Sequence, residues 1–138
     1  MTYTFGSLVL SGAAAVGLTI ATLVALRNTA PTAPGAAVHE QGRTLFQQKG
    51  CIGCHSVTDK GLVSRTPMAP DLSALGQRAA ARRPGLAANA YVKESVRQPQ
   101  AYIVPGFTEI EMPTLPVSDT EVEAIAAFLL APPPDATR

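Results

Sequence analysis

The sequence predicts an all-α fold, one helical domain of about a hundred residues behind a single apolar span near the N-terminus. Three observations carry that expectation. No stretch alternates apolar and polar side chains with the period of a strand, whereas apolar residues recur at three- and four-residue intervals along several segments. Those segments stop at helix breakers, namely Gly50, Pro84-Gly85, Pro99 and Pro132. Ahead of them, the 22 residues from Phe5 to Leu26 carry no charge.

At 1.5 Å per residue that run makes a helix about 33 Å long, which matches a hydrocarbon core of roughly 30 Å. Residues 1–27 therefore read as a single-pass membrane anchor. A cleaved secretory signal competes, but it has a basic start and a shorter apolar core, and no Lys or Arg precedes Arg27. Ala13, Gly17, Ala21 and Ala25 place small residues on one face of the span. Such a stripe suits close packing against partner membrane helices, although Ala and Gly are also common in membrane spans at large. Residues 28–37, with Pro31, Pro34 and Gly35 among Ala and Thr, have no helical period and read as an extended linker.

The domain proper is expected over 38–131, with a flexible tail over 132–138. Its first helix begins around Val38, sets Val38, Gly42, Leu45 and Phe46 on one face, and ends at Gly50. A glycine inside a helix costs about 1 kcal/mol relative to alanine, so Gly42 suggests close approach of a second helix. After a loop with Gly61, Pro67 and Pro70, Asp71 is placed to cap a short helix with Leu72, Leu75 and Ala79 facing inward. The next helix follows Asn89, sets Tyr91, Val92, Ser95 and Val96 on one side, and is stopped by Pro99. Residues 101–116 form a proline-punctuated loop. The last helix has the clearest start: Ser118 and Glu121 form a capping box, Val117 and Val122 a staple, and Val122, Ile125, Ala126 and Leu129 the buried stripe.

Between the first helix and the first loop stands Cys51-Ile52-Gly53-Cys54-His55. In C-x-x-C-H two thiols can add across the vinyl groups of a haem and the neighbouring imidazole can ligate its iron. A structural zinc site would need two more Cys or His ligands, and the chain holds no third Cys and only His39 besides. A redox dithiol lacks its strand-helix-strand frame. A plain disulfide would leave His55 without a purpose. Haem c, one group and covalent, is the expected cofactor. It would also supply apolar bulk to a domain whose only aromatics are Phe46, Phe107, Phe128, Tyr91 and Tyr102.

A net charge of +1 gives no case for nucleic acid. Arg43 to Arg97 nevertheless holds nine basic residues against Asp59, Asp71 and Glu94, while Glu109 to Asp135 holds six acids and no base. That is either a dipole able to steer a partner or two solvated helix faces of opposite sign.

Taken together, these pieces resemble a class I cytochrome c over about Val38 to Ala131. The resemblance implies that Gly42 and Phe46 on the first helix meet Phe128 on the last. In Ala69-Pro70-Asp71-Leu72 it implies that the Pro70 carbonyl accepts a hydrogen bond from the ligating His55; Ala69 stands where glycine is more usual. Met112, in Glu-Met-Pro-Thr-Leu-Pro, sits where the family puts its axial methionine, with Met68 and His39 as the alternatives. Metal ligands would then be His55 and Met112, and the haem-binding set Cys51, Cys54, His55, Met112, Pro70 and Arg78. Arg78, in Leu-Gly-Gln-Arg, resembles a Gly-x-Arg stretch that reaches a haem propionate in oxidase-linked cytochromes, or is a solvated helix arginine.

The stretch from Tyr91 to Tyr102 is similar to the monohaem subunit of bacterial alternative complex III and to the cytochrome c domains of haem-copper oxidases. What this implies is single-electron transfer with no substrate chemistry, within a membrane electron-transfer complex whose other subunits, donor and acceptor are the partners. Since haem is attached outside the cytoplasm in this family, the domain is expected on the periplasmic or exterior side of the cell membrane. The lone Arg27 argues weakly for the reverse. A free-standing anchored shuttle and a haem-based ligand sensor are the other readings.

Overall fold

A computed structural model describes residues 34–134 of the chain. The expected span Phe5–Leu26, its small-residue stripe and the end of the tail lie outside the described residues. Among the described residues no helix is long and apolar enough to cross a membrane.

The described residues form four helices and no strand: α1 Pro34–Gln48, α2 Leu75–Arg82, α3 Ala88–Arg97 and α4 Asp119–Leu130, with short 3-10 turns at Cys51–Gly53 and Thr58–Lys60. The helix α1 starts earlier than expected. Residues 34–37, assigned above to the linker 28–37, are its first turn. Proline lacks only an N–H that the first turn would leave unused, and its fixed φ suits entry to a helix. Gly50 ends the helix region in the left-handed conformation at φ 84°, where a side chain would be strained.

Helices α1 and α4 cross at Gly42. A β-carbon added there would stand 1.9 Å from the Ala124 carbonyl oxygen and 2.7 Å from the Phe128 β-carbon, so only glycine admits the crossing. Phe46 and Phe128 are buried and meet with ring centroids 5.9 Å apart, as the resemblance implied. The capping box at Ser118 and Glu121 is formed, and Val122, Ile125, Ala126 and Leu129 are buried with Ala124 and Phe128. A second close approach joins α2 to the end of α4, where a β-carbon on Gly76 would lie 2.2 Å from the Leu130 carbonyl oxygen.

Asp71 does not cap α2. That helix begins four residues later, and the residue before it, Ala74, lies in the left-handed region at φ 51°. Asp71 instead accepts a hydrogen bond from the Ser73 N–H at 2.6 Å, closing a local turn. The Ala74 N–H is taken by Asp59 Oδ2 at 2.8 Å. A carboxylate from a different loop thus does the work that chain proximity suggested for Asp71.

Lys60 breaks the expectation that charge stays outside. Its Nζ is buried, donates to the Leu129 carbonyl at 3.2 Å and lies 5.6 Å from the centre of the Phe128 ring. It thereby serves one of the last carbonyls of α4, which have no partner within the helix.

Candidate functional site

The site grows from the end of α1. After Gly50 the chain turns at once into Cys51–Gly53, and the Cys54 and His55 N–H groups both donate to the Cys51 carbonyl, at 3.2 and 3.0 Å. This tight turn puts the two thiols and the imidazole on one side of a cleft. Cys51 and Cys54 are free thiols, not a disulfide. Burial pushes the Cys51 thiol above its ordinary value.

His55 Nδ1 lies 2.8 Å from the Pro70 carbonyl oxygen. A carbonyl only accepts, so Nδ1 carries the proton and donates, and Nε2 keeps a free lone pair. Burial, opposed by that hydrogen bond and by the Asp71 charge, lowers the affinity of the ring for a second proton. The imidazole is therefore oriented and neutral, the form in which it ligates metals.

What fixes Pro70 is a set of stitches absent from the sequence reading. The Leu72 N–H donates to the Ser56 carbonyl at 2.8 Å, and Ser73 Oγ accepts from the Thr58 N–H at 2.7 Å. On the other flank, Ser64 Oγ and Thr66 Oγ1 both donate to the Gly53 carbonyl, at 2.8 and 2.9 Å, and Ser56 Oγ accepts from the Ser64 N–H at 3.0 Å. The loop from Ser56 to Pro70 is thus bonded back onto the C-x-x-C-H turn itself. The signal that could have found it is the density of Ser and Thr, whose short side chains bond nearby backbone.

All six residues expected to bind the cofactor line this one cleft: Cys51, Cys54, His55, Pro70, Arg78 and Met112. So do Met68 and two tyrosines, Tyr91 and Tyr102, whose rings meet at 6.0 Å. His39 is elsewhere employed, its ring edge-on to Phe128 at 5.3 Å. Arg78 Nη2 donates to the Asp71 carbonyl, while its Nε is buried without a partner.

The charge separation is partly closed by folding. Lys49 pairs with Glu121 at 2.9 Å, Lys93 with Glu123 at 2.7 Å, and Arg97 with Asp119. Three of the six acids of the C-terminal third are thereby matched by bases of the Arg43–Arg97 stretch, which favours solvated helix faces where these helices meet.

Residues 39–131 match the cytochrome c family. The chain belongs to that family. Cytochrome c membership implies a covalently bound haem c, electron transfer as the activity and redox proteins as partners. No curated protein matches the chain. The cleft fits the group: two thiols on a rigid turn, an imidazole with Nε2 available, apolar walls from Leu75, Val92, Ile125 and Leu129, and an unpartnered guanidinium nitrogen able to meet a carboxylate.

Proposed function

We propose that this cytochrome c carries single electrons as a membrane-tethered, monohaem subunit of a respiratory or photosynthetic complex, from a quinol-oxidising module to a downstream acceptor or oxidase. The observation that carries the chemistry is that His55, locked by Pro70, shares its cleft with Met112. Haem c would supply a one-electron iron couple there, with His55 and Met112 as the residues that would hold its iron.

In this reading Cys51 and Cys54 would hold the group covalently, and His55 would offer Nε2 to its iron. Met112 would offer its thioether, a soft ligand that favours the reduced metal and raises the potential. Met68 is the weaker candidate. It precedes by two residues the Pro70 that grips the His55 ring, so it belongs with the histidine side of the cleft. Met112 arrives on a separate segment. Arg78 offers its buried Nε to a propionate. The walls keep water from the iron.

Tethering rests on the uncharged run from Phe5 to Leu26, and assembly on its stripe of small residues. Two experiments test the proposal. The oxidised protein is expected to show a weak band at the red end of its spectrum, from sulfur on ferric iron, lost in Met112→Ala and kept in Met68→Ala; the reverse pattern would move the ligand to Met68. Extraction of the full chain from membranes in mild detergent is expected to bring other subunits in fixed ratio. Purification alone favours a free-standing anchored shuttle.

A further inference from the structure

We propose that Arg82 is a second carboxylate-binding residue of the haem cleft, so that α2 presents two guanidiniums, one for each propionate of haem c. The inference rests on the reading above, in which Arg78 meets one of them. Arg78 and Arg82 are four residues apart in α2, and so lie one turn apart on a single face. Both line the cleft.

Burial and the bookkeeping of charge together single them out, since Arg65, also without an ion pair, is exposed and lies away from the cleft. Lys49, Lys93, Arg83 and Arg97 each have a carboxylate partner. Arg43 donates to the Lys60 carbonyl at 2.7 Å. Arg82 is half-buried with no ion pair or hydrogen bond to any described residue, and Arg78 keeps a buried Nε unpartnered. A cation withdrawn from water with no anion is unfavourable. The propionates are the only charged groups on the periphery of haem c, and a planar guanidinium matches a carboxylate with two donors. Arg82 also stands in the last turn of α2, where the helix dipole favours a cation without any haem. A test must separate these two roles.

That test is resonance Raman spectroscopy of the full-length, haem-loaded protein, read at the propionate bending bands, with the midpoint potential measured beside it. Arg82→Gln is expected to shift the bands and lower the potential, because losing a nearby cation favours the more positive ferric state. Arg82→Lys keeps the charge without the fork; it should hold most of the potential and still shift the bands, and it serves if Arg82→Gln accumulates poorly. Bands unmoved in these variants overturn the proposal, whatever happens to the potential or to the melting temperature. Arg78→Gln is measured alongside: bands that move there and stay put in the Arg82 variants remove only the second arginine and leave the function as read.

Discussion

The crossing of α1 with α4 and the segment from Gln98 to Val117 both contribute to the haem cleft, yet they are held by different forces. At the crossing, backbone meets backbone through Gly42, two phenylalanines pack, and the flank is clamped by Lys49 on Glu121. The loop carrying Met112 has no regular structure. Its backbone bonds are local turns, such as Phe107 N–H to the Val104 carbonyl at 3.1 Å and Val117 N–H to the Leu115 carbonyl at 3.0 Å. Among the described residues one long-range hydrogen bond reaches it, Lys49 Nζ to the Pro116 carbonyl at 3.2 Å, beside the contact of the Tyr102 ring with Tyr91. The difference is one of restraint: the loop beside His55 is bonded back onto the C-x-x-C-H turn, whereas the loop carrying Met112 is held mainly by its own local turns.

The largest effect should come from emptying the crossing. Phe128→Ala removes a fully buried ring that touches Phe46, His39 and the Lys60 charge, and should cost about 3–5 kcal/mol in urea denaturation. Gly42→Ala, which drives a methyl into the Ala124 carbonyl, should cost about 1–3 kcal/mol or somewhat more by the same measurement. Thr108→Ala in the exposed loop should stay within about 0.5 kcal/mol. Equal losses at the crossing and in the loop would erase the distinction. Hydrogen exchange sharpens it: amides of 108–114 should exchange by local opening, and those of Ala124 to Leu129 only with global unfolding.

Lys60 gives the comparison a pH axis. Burial lowers its proton affinity, partly offset by Asp59. The unfolded chain then holds more protons than the folded one between that lowered value and the ordinary lysine value, so stability rises with pH through the window. Measured as the difference between wild type and Lys60→Met, the wild type should gain on the variant as pH climbs toward the ordinary lysine pKa of about 10.4. A flat difference would mean that the folded protein leaves the Lys60 affinity unchanged.

A small effect of the opposite sign concerns Ala74, an alanine at φ 51°. Ala74→Gly relieves a left-handed strain of about 1–2 kcal/mol and loosens the unfolded chain by somewhat less. A net gain below about 1 kcal/mol is expected in thermal unfolding.

Much of this was legible beforehand because the signals are local. C-x-x-C-H, the capping box at Ser118, the stripe of α4 and the stop at Pro99 each need only a few consecutive residues. Gly42 was legible because a glycine in a helix asks for a reason. What escaped depends on partners distant in the chain. Nothing near Asp59 says that it will hold the Ala74 N–H, and nothing near Lys60 says that it will serve the far end of α4. Pro34 misled because proline both ends linkers and opens helices. The uneven charge left a dipole and solvated helix faces equally open, because only folding sets Lys49, Lys93 and Arg97 against acids more than twenty residues away.

X-ray absorption at the iron edge of the intact ferrous protein tests the core of the account most directly. One sulfur neighbour should be present, absent in Met112→Ala and retained in Met68→Ala. A first shell of nitrogens alone in the wild type, or a sulfur that survives the loss of Met112, would contradict it.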